Sequence, residues 1–258
     1  MSTPPWSHEP IRRDRKNVLP KEHHPRFKPL SKDIFKHKDR HLDDHLESES
    51  ESDGSVCFRA IQRLKDSEVD FNEVLSSAEP FFDETFTFPD SIHWEDLSDE
   101  QYPLSGDEEK LEWKRITELY GNEFYSMWGQ GDIRPADAIQ GQLGNCWLIS
   151  AAMSVSEKPE RIHDIFKIET KNSASIYAMK LWLLGMPISV VIDDYLPVQE
   201  WDTRYTRYAQ VASDGALWGA LLEKSLAKYL GNYEAIDAGS GAHGVEAMTG
   251  APYTTLTH

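Results

Sequence analysis

Gln140-Gly141-Gln142-Leu143-Gly144-Asn145-Cys146-Trp147 sets a glutamine six positions ahead of a cysteine. That cysteine heads an apolar run, Cys146 to Val155, which holds no Gly or Pro and is followed by Lys158-Pro159 as a stop. The run predicts a short, nearly all-buried helix with Cys146 in its first turn. There the unpaired N–H groups and the positive end of the helix dipole favour a thiolate, so Cys146 is the candidate nucleophile. Gly141 and Gly144 let the preceding loop fold back, which brings Gln140 to the sulfur as the candidate donor to an oxyanion. Ser150, Ala151 and Ala152 are small enough for another backbone to pack against this helix.

The octapeptide resembles the cysteine motif of the calpain family, Gln-Gly-x-Leu-Gly-Asp-Cys-Trp, with Asn145 where Asp is usual. Glu112-Trp113-Lys114-Arg115-Ile116-Thr117-Glu118-Leu119, Val190-Val191-Ile192-Asp193-Asp194-Tyr195-Leu196-Pro197 and Trp218-Gly219-Ala220-Leu221-Leu222-Glu223-Lys224-Ser225-Leu226-Ala227-Lys228 resemble further family segments in the same order. Tyr233-Glu234-Ala235, Gly239-Ser240 and Thr249-Gly250 continue the pattern, so the resemblance spans residues 80 to 250. It implies a papain-like α+β fold, here a cysteine-bearing helical lobe with a small antiparallel sheet. It also implies peptide-bond hydrolysis by a calcium-dependent cysteine endopeptidase acting on protein substrates.

The same resemblance assigns further residues. Asp137, nine positions before the cysteine, stands at a calcium-ligand position. The second carboxylate position, a glutamate two before Trp218, is Ala216 in this chain; Asp214 is the nearest substitute, or else the N-cap of the Trp218 helix. Gly239 matches the glycine that pairs its backbone with an extended substrate.

A papain-like site is completed by a histidine and an asparagine about 130–150 residues or more beyond the cysteine. Residue 258 lies 112 positions beyond Cys146. Of the downstream histidines, His163 reads as a half-exposed helix residue, His243 as a helix-start position and His258 as a polar tail. None has the family's Gly-His-Ala-Tyr context, so the second lobe is expected to be absent from this chain, the ending to be that of a fragment, and the chain alone to be inactive. A second lobe or partner subunit is then required. The alternative is a non-catalytic, calpain-related binding or regulatory module: Gln140 and Cys146 favour the enzyme, Ala216 and the short C-terminal stretch the module.

Composition bounds the rest. Two cysteines, Cys57 and Cys146, cannot make a disulfide framework. No run of 18 apolar residues and no apolar leader core occurs, so an intracellular, cytoplasmic protein without a transmembrane segment is expected. The net charge of −17 is uneven: +4 over residues 1–45, −15 over 46–110 and −6 over 111–258. Residues 1–55 read as a disordered basic, then acidic, extension suited to solubility or self-association, with no nucleic-acid partner. Residues 56–79 read as a linker with one helix between Phe58 and Phe71. Residues 80–258 read as the N-terminal lobe of the catalytic domain. Within it, Phe81–Pro89 forms an aromatic strap, 175–182 and 188–192 pair through a turn at Gly185-Met186-Pro187, and the Trp218 helix buries one face.

Overall fold

The structure, a computed structural model, describes residues 69–77, 79–88, 91–92, 111–121, 124–199 and 202–254. The described helices are α1 (Phe71–Leu75), α2 (Ile116–Tyr120), α3 (Cys146–Ser156), α4 (Pro159–His163), α5 (Trp218–Leu230) and α6 (Gly241–Thr249). The strands are β1 (Leu111–Arg115), β2 (Ile176–Leu183), β3 (Met186–Asp193), β4 (Tyr195–Gln199) and β5 (Asp202–Thr206). The architecture is mixed, as expected, but the antiparallel strands form two sheets: a three-stranded one in the order β1-β4-β5 and the hairpin β2-β3. The expected helix between Phe58 and Phe71 lies outside the described residues up to residue 68, as do the whole of 1–55 and Cys57.

The hairpin turns one residue earlier than the sequence pattern predicts. Leu183 pairs with Met186, leaving Leu184 and Gly185 at φ 52° and 77°, the double left-handed turn that suits the twist of a two-residue hairpin. Both hairpin faces are covered, which is why β2 reads as almost wholly buried rather than alternating. Tyr177, Met179, Leu181, Val190 and Ile192 face the main core. Ile176, Ala178 and Val191 face a second, smaller cluster closed by Phe71, Val74, Leu75 and Phe81. The aromatic strap therefore crosses the lobe: the Phe81 amide donates to the Ala174 carbonyl at 2.7 Å, and Phe86 enters the main core.

Helix α5 departs most from expectation. Trp218, Leu221, Leu222, Leu226 and Tyr229 are buried, but so are Glu223, Lys224 and Lys228 on its other faces. Each buried charge has a partner, as the cost of desolvation demands. Lys224 Nζ binds the Asp193 carboxylate and donates to the Tyr195 carbonyl at 2.7 Å. Lys228 Nζ donates to Asp83 Oδ2 and to the Val191 carbonyl, each at 2.7 Å. Arg115 donates to Asp194 Oδ1 at 2.5 Å and to the Phe81 carbonyl at 2.8 Å. Arg115, Asp193, Asp194, Lys224 and Lys228 of the segments picked out in the sequence, with Asp83, are thus a buried set of paired charges that joins the strap, the β3–β4 junction and the central helix. No helix among the described residues is long and apolar enough to cross a membrane.

Candidate active site

Cys146 is the first residue of α3, and its side chain is exposed. The helix runs to Ser156, close to the predicted end, but it is half-buried rather than nearly all-buried: Leu148, Ile149, Ala151, Ala152 and Val155 face the core while Ser150, Met153 and Ser154 face out. Its small residues do admit a neighbour, since a Cβ added at Gly244 of α6 would lie 2.8 Å from the Ala151 Cβ.

Asn145 is the N-cap. Its carbonyl accepts from the Leu148 and Ile149 amides at 2.8 and 3.1 Å, but its side chain does not cap the helix. It is fully buried and points inward, where Nδ2 donates to Glu223 Oε1 at 2.5 Å. The other carboxylate oxygen accepts the Ala209 amide at 2.8 Å. Burial pushes the Glu223 carboxyl from 4.5 up to about 7, with these two donors pulling it down. The residue before the nucleophile is therefore tied to the central helix by an amide donor facing a carboxylate; an aspartate in its place would set two carboxylates against each other.

The loop before Cys146 is held from both sides. Gln140 Nε2 donates to the Leu143 carbonyl at 2.7 Å, which folds the amide over the loop and leaves its second hydrogen for another acceptor. The Gln142 amide donates to the Arg207 carbonyl at 2.9 Å, and the Arg207 guanidinium donates to the Gln142 side chain. The Gly144 amide donates to Asp237 Oδ1 at 2.7 Å, and the Gly144 carbonyl accepts the Ala238 amide at 3.0 Å. Neither glycine is in the left-handed region. Close approach requires them instead: a Cβ would lie 1.8 Å from the Tyr208 carbonyl oxygen at Gly141, and 2.5 Å from Asp237 Oδ1 at Gly144.

Gly239 is brought beside the residue that follows Cys146. Trp147 Nε1 donates to the Ile236 carbonyl at 3.0 Å, and its indole fills the space a side chain at 239 would need, 2.5 Å from Cε2. The left-handed residue of this turn is Ala238, at φ 60°. Cys146, Gln140 and Gly239 are each exposed, on the helix start, the loop and the turn that these contacts join.

Asp137 closes the 3₁₀ turn Pro135–Asp137 and is buried. Both of its carboxylate oxygens are engaged by Arg134: Oδ2 accepts the backbone amide at 2.9 Å and Oδ1 the guanidinium at 2.7 Å. Asp214 is not the N-cap of α5. That position is Leu217, while Asp214 Oδ1 accepts the Ala216 amide at 3.2 Å and Oδ2 binds the same Arg134 guanidinium.

His163 ends α4, hydrogen-bonded through Nδ1 to Glu169 at 2.8 Å and set edge-on to Trp128. His243 is the third residue of α6, against the Tyr253 ring. Among the described residues none hydrogen-bonds the Cys146 sulfur. A cavity of 490 Å³ lined by Arg115, Thr117, Tyr125, Lys171 and Tyr177, among others, shares no residue with the cysteine loop.

Sequence reasoning missed Glu223 and Asp237, the two carboxylates that hold the loop. Glu223 stands in a quoted segment but has no role assigned from the sequence, and Asp237 carries no signal of spacing or type. Arg134 did carry one: Arg-Pro-Ala-Asp has the i,i+3 spacing at which opposite charges meet on a helical turn.

The sequence matches the family model for calpain family cysteine proteases over residues 81–258. It is similar to the calpain-2 catalytic subunit of Rattus norvegicus, 32% identical over 197 residues that cover 74% of this chain and 27% of that protein. It is also similar to the calpain-1 catalytic subunit of Homo sapiens, 34% identical over 180 residues, 68% of this chain and 24% of that protein. The chain spans about a quarter of the length of the curated relatives it matches.

Proposed function

This chain belongs to the calpain family of cysteine proteases, and we propose from that membership that residues 80–258 are the nucleophile-bearing N-terminal lobe of a papain-like endopeptidase. The observation that carries the reading is the exposed thiol of Cys146 at the start of α3, on a loop held by hydrogen bonds to the turn that contains Gly239.

The chemistry follows from the placement. The Cys146 sulfur, as thiolate, attacks the scissile carbonyl of a protein substrate whose backbone runs along Gly239. The negative charge that develops on the carbonyl oxygen is met by the uncommitted hydrogen of Gln140 Nε2 and by the leading amide of α3, Cys146's own N–H. Collapse of the adduct expels the amine, which must gain a proton, and leaves a thioester for water to hydrolyse. An imidazole must take and return that proton. His163 and His243 are engaged with Glu169 and Tyr253, so we assign the imidazole and its orienting amide to a second lobe or a partner subunit. By themselves the 258 residues are then expected to turn over little substrate. An unpaired reactive thiol fits a reducing, cytoplasmic setting.

A peptidyl electrophile tests the nucleophile directly. Cys146 should be labelled much faster than Cys57, with the reaction lost in Cys146→Ala; equal, slow labelling of both would sink the enzymatic reading and favour a binding module. Steady hydrolysis of a fluorogenic peptide by the purified chain, abolished by Cys146→Ala, would overturn its dependence on a second lobe.

A further inference from the structure

The resemblance places a calcium ion between the segment before the cysteine and the segment before the Trp218 helix, and the residues present do not fit one. A hard divalent cation takes six to eight oxygens, and carboxylates carry much of the affinity. At residue 216 the side chain is a methyl group. The two carboxylates that remain, Asp137 and Asp214, have a donor on each of their four oxygens: the Arg134 amide and guanidinium on Asp137, the Ala216 amide and the same guanidinium on Asp214. Asp214 is also pressed on the backbone, since a Cβ at Gly129 would lie 2.6 Å from its Oδ2. Among the described residues no group of three or more carboxylates, histidines or thiols is available to hold a metal.

We propose that the Arg134 guanidinium does in this chain what a calcium ion would do, clasping the 134–137 segment to the 214–216 segment, so that the nucleophile lobe is assembled without calcium. The two segments lie 80 residues apart in sequence. The Asp137–Ala138 backbone packs on α5, where a Cβ added at Gly219 would come within 3.2 Å of both the Asp137 carbonyl and the Ala138 Cα. The Ser126–Ala216 bridge continues the join, with the Ser126 amide donating to the Gly215 carbonyl at 3.1 Å and the Trp218 amide to the Met127 carbonyl at 3.2 Å. A guanidinium suits this task because the two hydrogens of one terminal nitrogen, Nη2, can address two carboxylates at once and the group stays charged at any physiological pH. Calcium entering the site would have to displace it from both.

The test is made on the whole 258-residue chain and reads stability, not activity. Thermal unfolding of the wild type is expected to be the same in EGTA, in millimolar CaCl₂ and in millimolar MgCl₂. Arg134→Gln, which frees both carboxylates, is expected to melt lower in EGTA and to regain stability with CaCl₂ but not with MgCl₂. Calorimetric titration with CaCl₂ should show at least about tenfold tighter binding by the variant than by wild type. Saturable calcium binding to wild type accompanied by a rise in its melting temperature would overturn the proposal, and that arm stands even if the variant does not fold. So would an Arg134→Gln variant that is as stable as wild type and indifferent to calcium. The inference shares with the proposed function only the family resemblance, so unreactive Cys146 would defeat that function and leave this clasp intact.

Discussion

Replacing Glu223 by glutamine should stabilise the protein above neutral pH and leave it unchanged in mild acid. Glu223 is 2% exposed, and burial moves its carboxyl from 4.5 to about 7. Between those two values the native state keeps a proton that the unfolded chain has released. Stability therefore falls as pH rises through the window, because the slope follows the protons bound by the unfolded state minus those bound by the native state. At about 1.4 kcal/mol for each pH unit of the window, the wild type loses on the order of 3 kcal/mol from this one group by the time pH exceeds 7. Glutamine has the same shape and cannot ionise. Its carbonyl can accept the Ala209 amide, and its Nε2 can donate to Asn145 Oδ1, a buried oxygen that has no partner among the described residues, once the Asn145 amide rotates.

Urea unfolding followed by tryptophan fluorescence, run on both proteins across the window, reads the effect as a difference curve in which all other titrations cancel. The curve should start near zero at its acid end and favour Glu223→Gln by about 3 kcal/mol at its alkaline end. A difference that does not vary with pH would refute the account of Glu223 as a buried carboxyl strained by desolvation. Glu223→Ala serves as the contrast: it strands the Ala209 amide and the Asn145 side chain and opens a cavity, so it should lie about 2–4 kcal/mol below Glu223→Gln at every pH, both variants lacking the titrating group.

Gly141→Ala should cost about 2–3 kcal/mol in the same assay and slow electrophile labelling of Cys146, because the new Cβ would meet the Tyr208 carbonyl oxygen at 1.8 Å with backbone on both sides. Gly239→Ala should cost about 1–3 kcal/mol and shift tryptophan emission to the red, as the Trp147 indole is driven off the Ile236 carbonyl. Lys228→Met should cost about 3–5 kcal/mol by leaving Asp83 buried as an unpaired charge; adding Asp83→Asn, which removes that charge, should recover a good part of the loss.

Local signals found α3, the β2–β3 hairpin, α5 and the strap, because each is a continuous run whose pattern is set by its own residues. The three-stranded sheet escaped notice for the opposite reason. β1 is five residues long, three of them charged, and its partner β4 begins 80 positions later, with Arg115 opposite Tyr195. The burial of Glu223, Lys224 and Lys228 beside the apolar face of α5 is hidden from the sequence for a related reason. The groups that let these charges be buried, Asn145, Asp193 and Asp83, lie 31 to 145 residues away and leave no trace in the helix's own periodicity. Asp214 had the right type and position for an N-cap, but Arg134 and the Ala216 amide took its oxygens. Gly141 and Gly144 suggest freedom of conformation in the sequence, whereas what they and Gly239 supply in the fold is absence of bulk.

What the sequence could not show is how the candidate nucleophile is positioned. Apolar packing holds the far end of α3, but the near end is set by polar contacts from three separate segments: Glu223 on Asn145, Arg207 on Gln142, and the Asp237–Ala238 turn on Gly144. Hydrogen bonds of this kind are directional, so they specify the loop's geometry more narrowly than hydrophobic contact could. The loop's shape accordingly exists before any second lobe docks on the exposed face, and docking does not have to spend binding energy on ordering it. On the proposed function, the task left to a second lobe is proton transfer and closure over the substrate. Because Gln142, Gly144 and Asn145 are each held from a different segment, weakening one contact should shift the thiol's reactivity by a modest factor, while Gly141→Ala, which pushes the loop away from the 207–208 backbone, should shift it most.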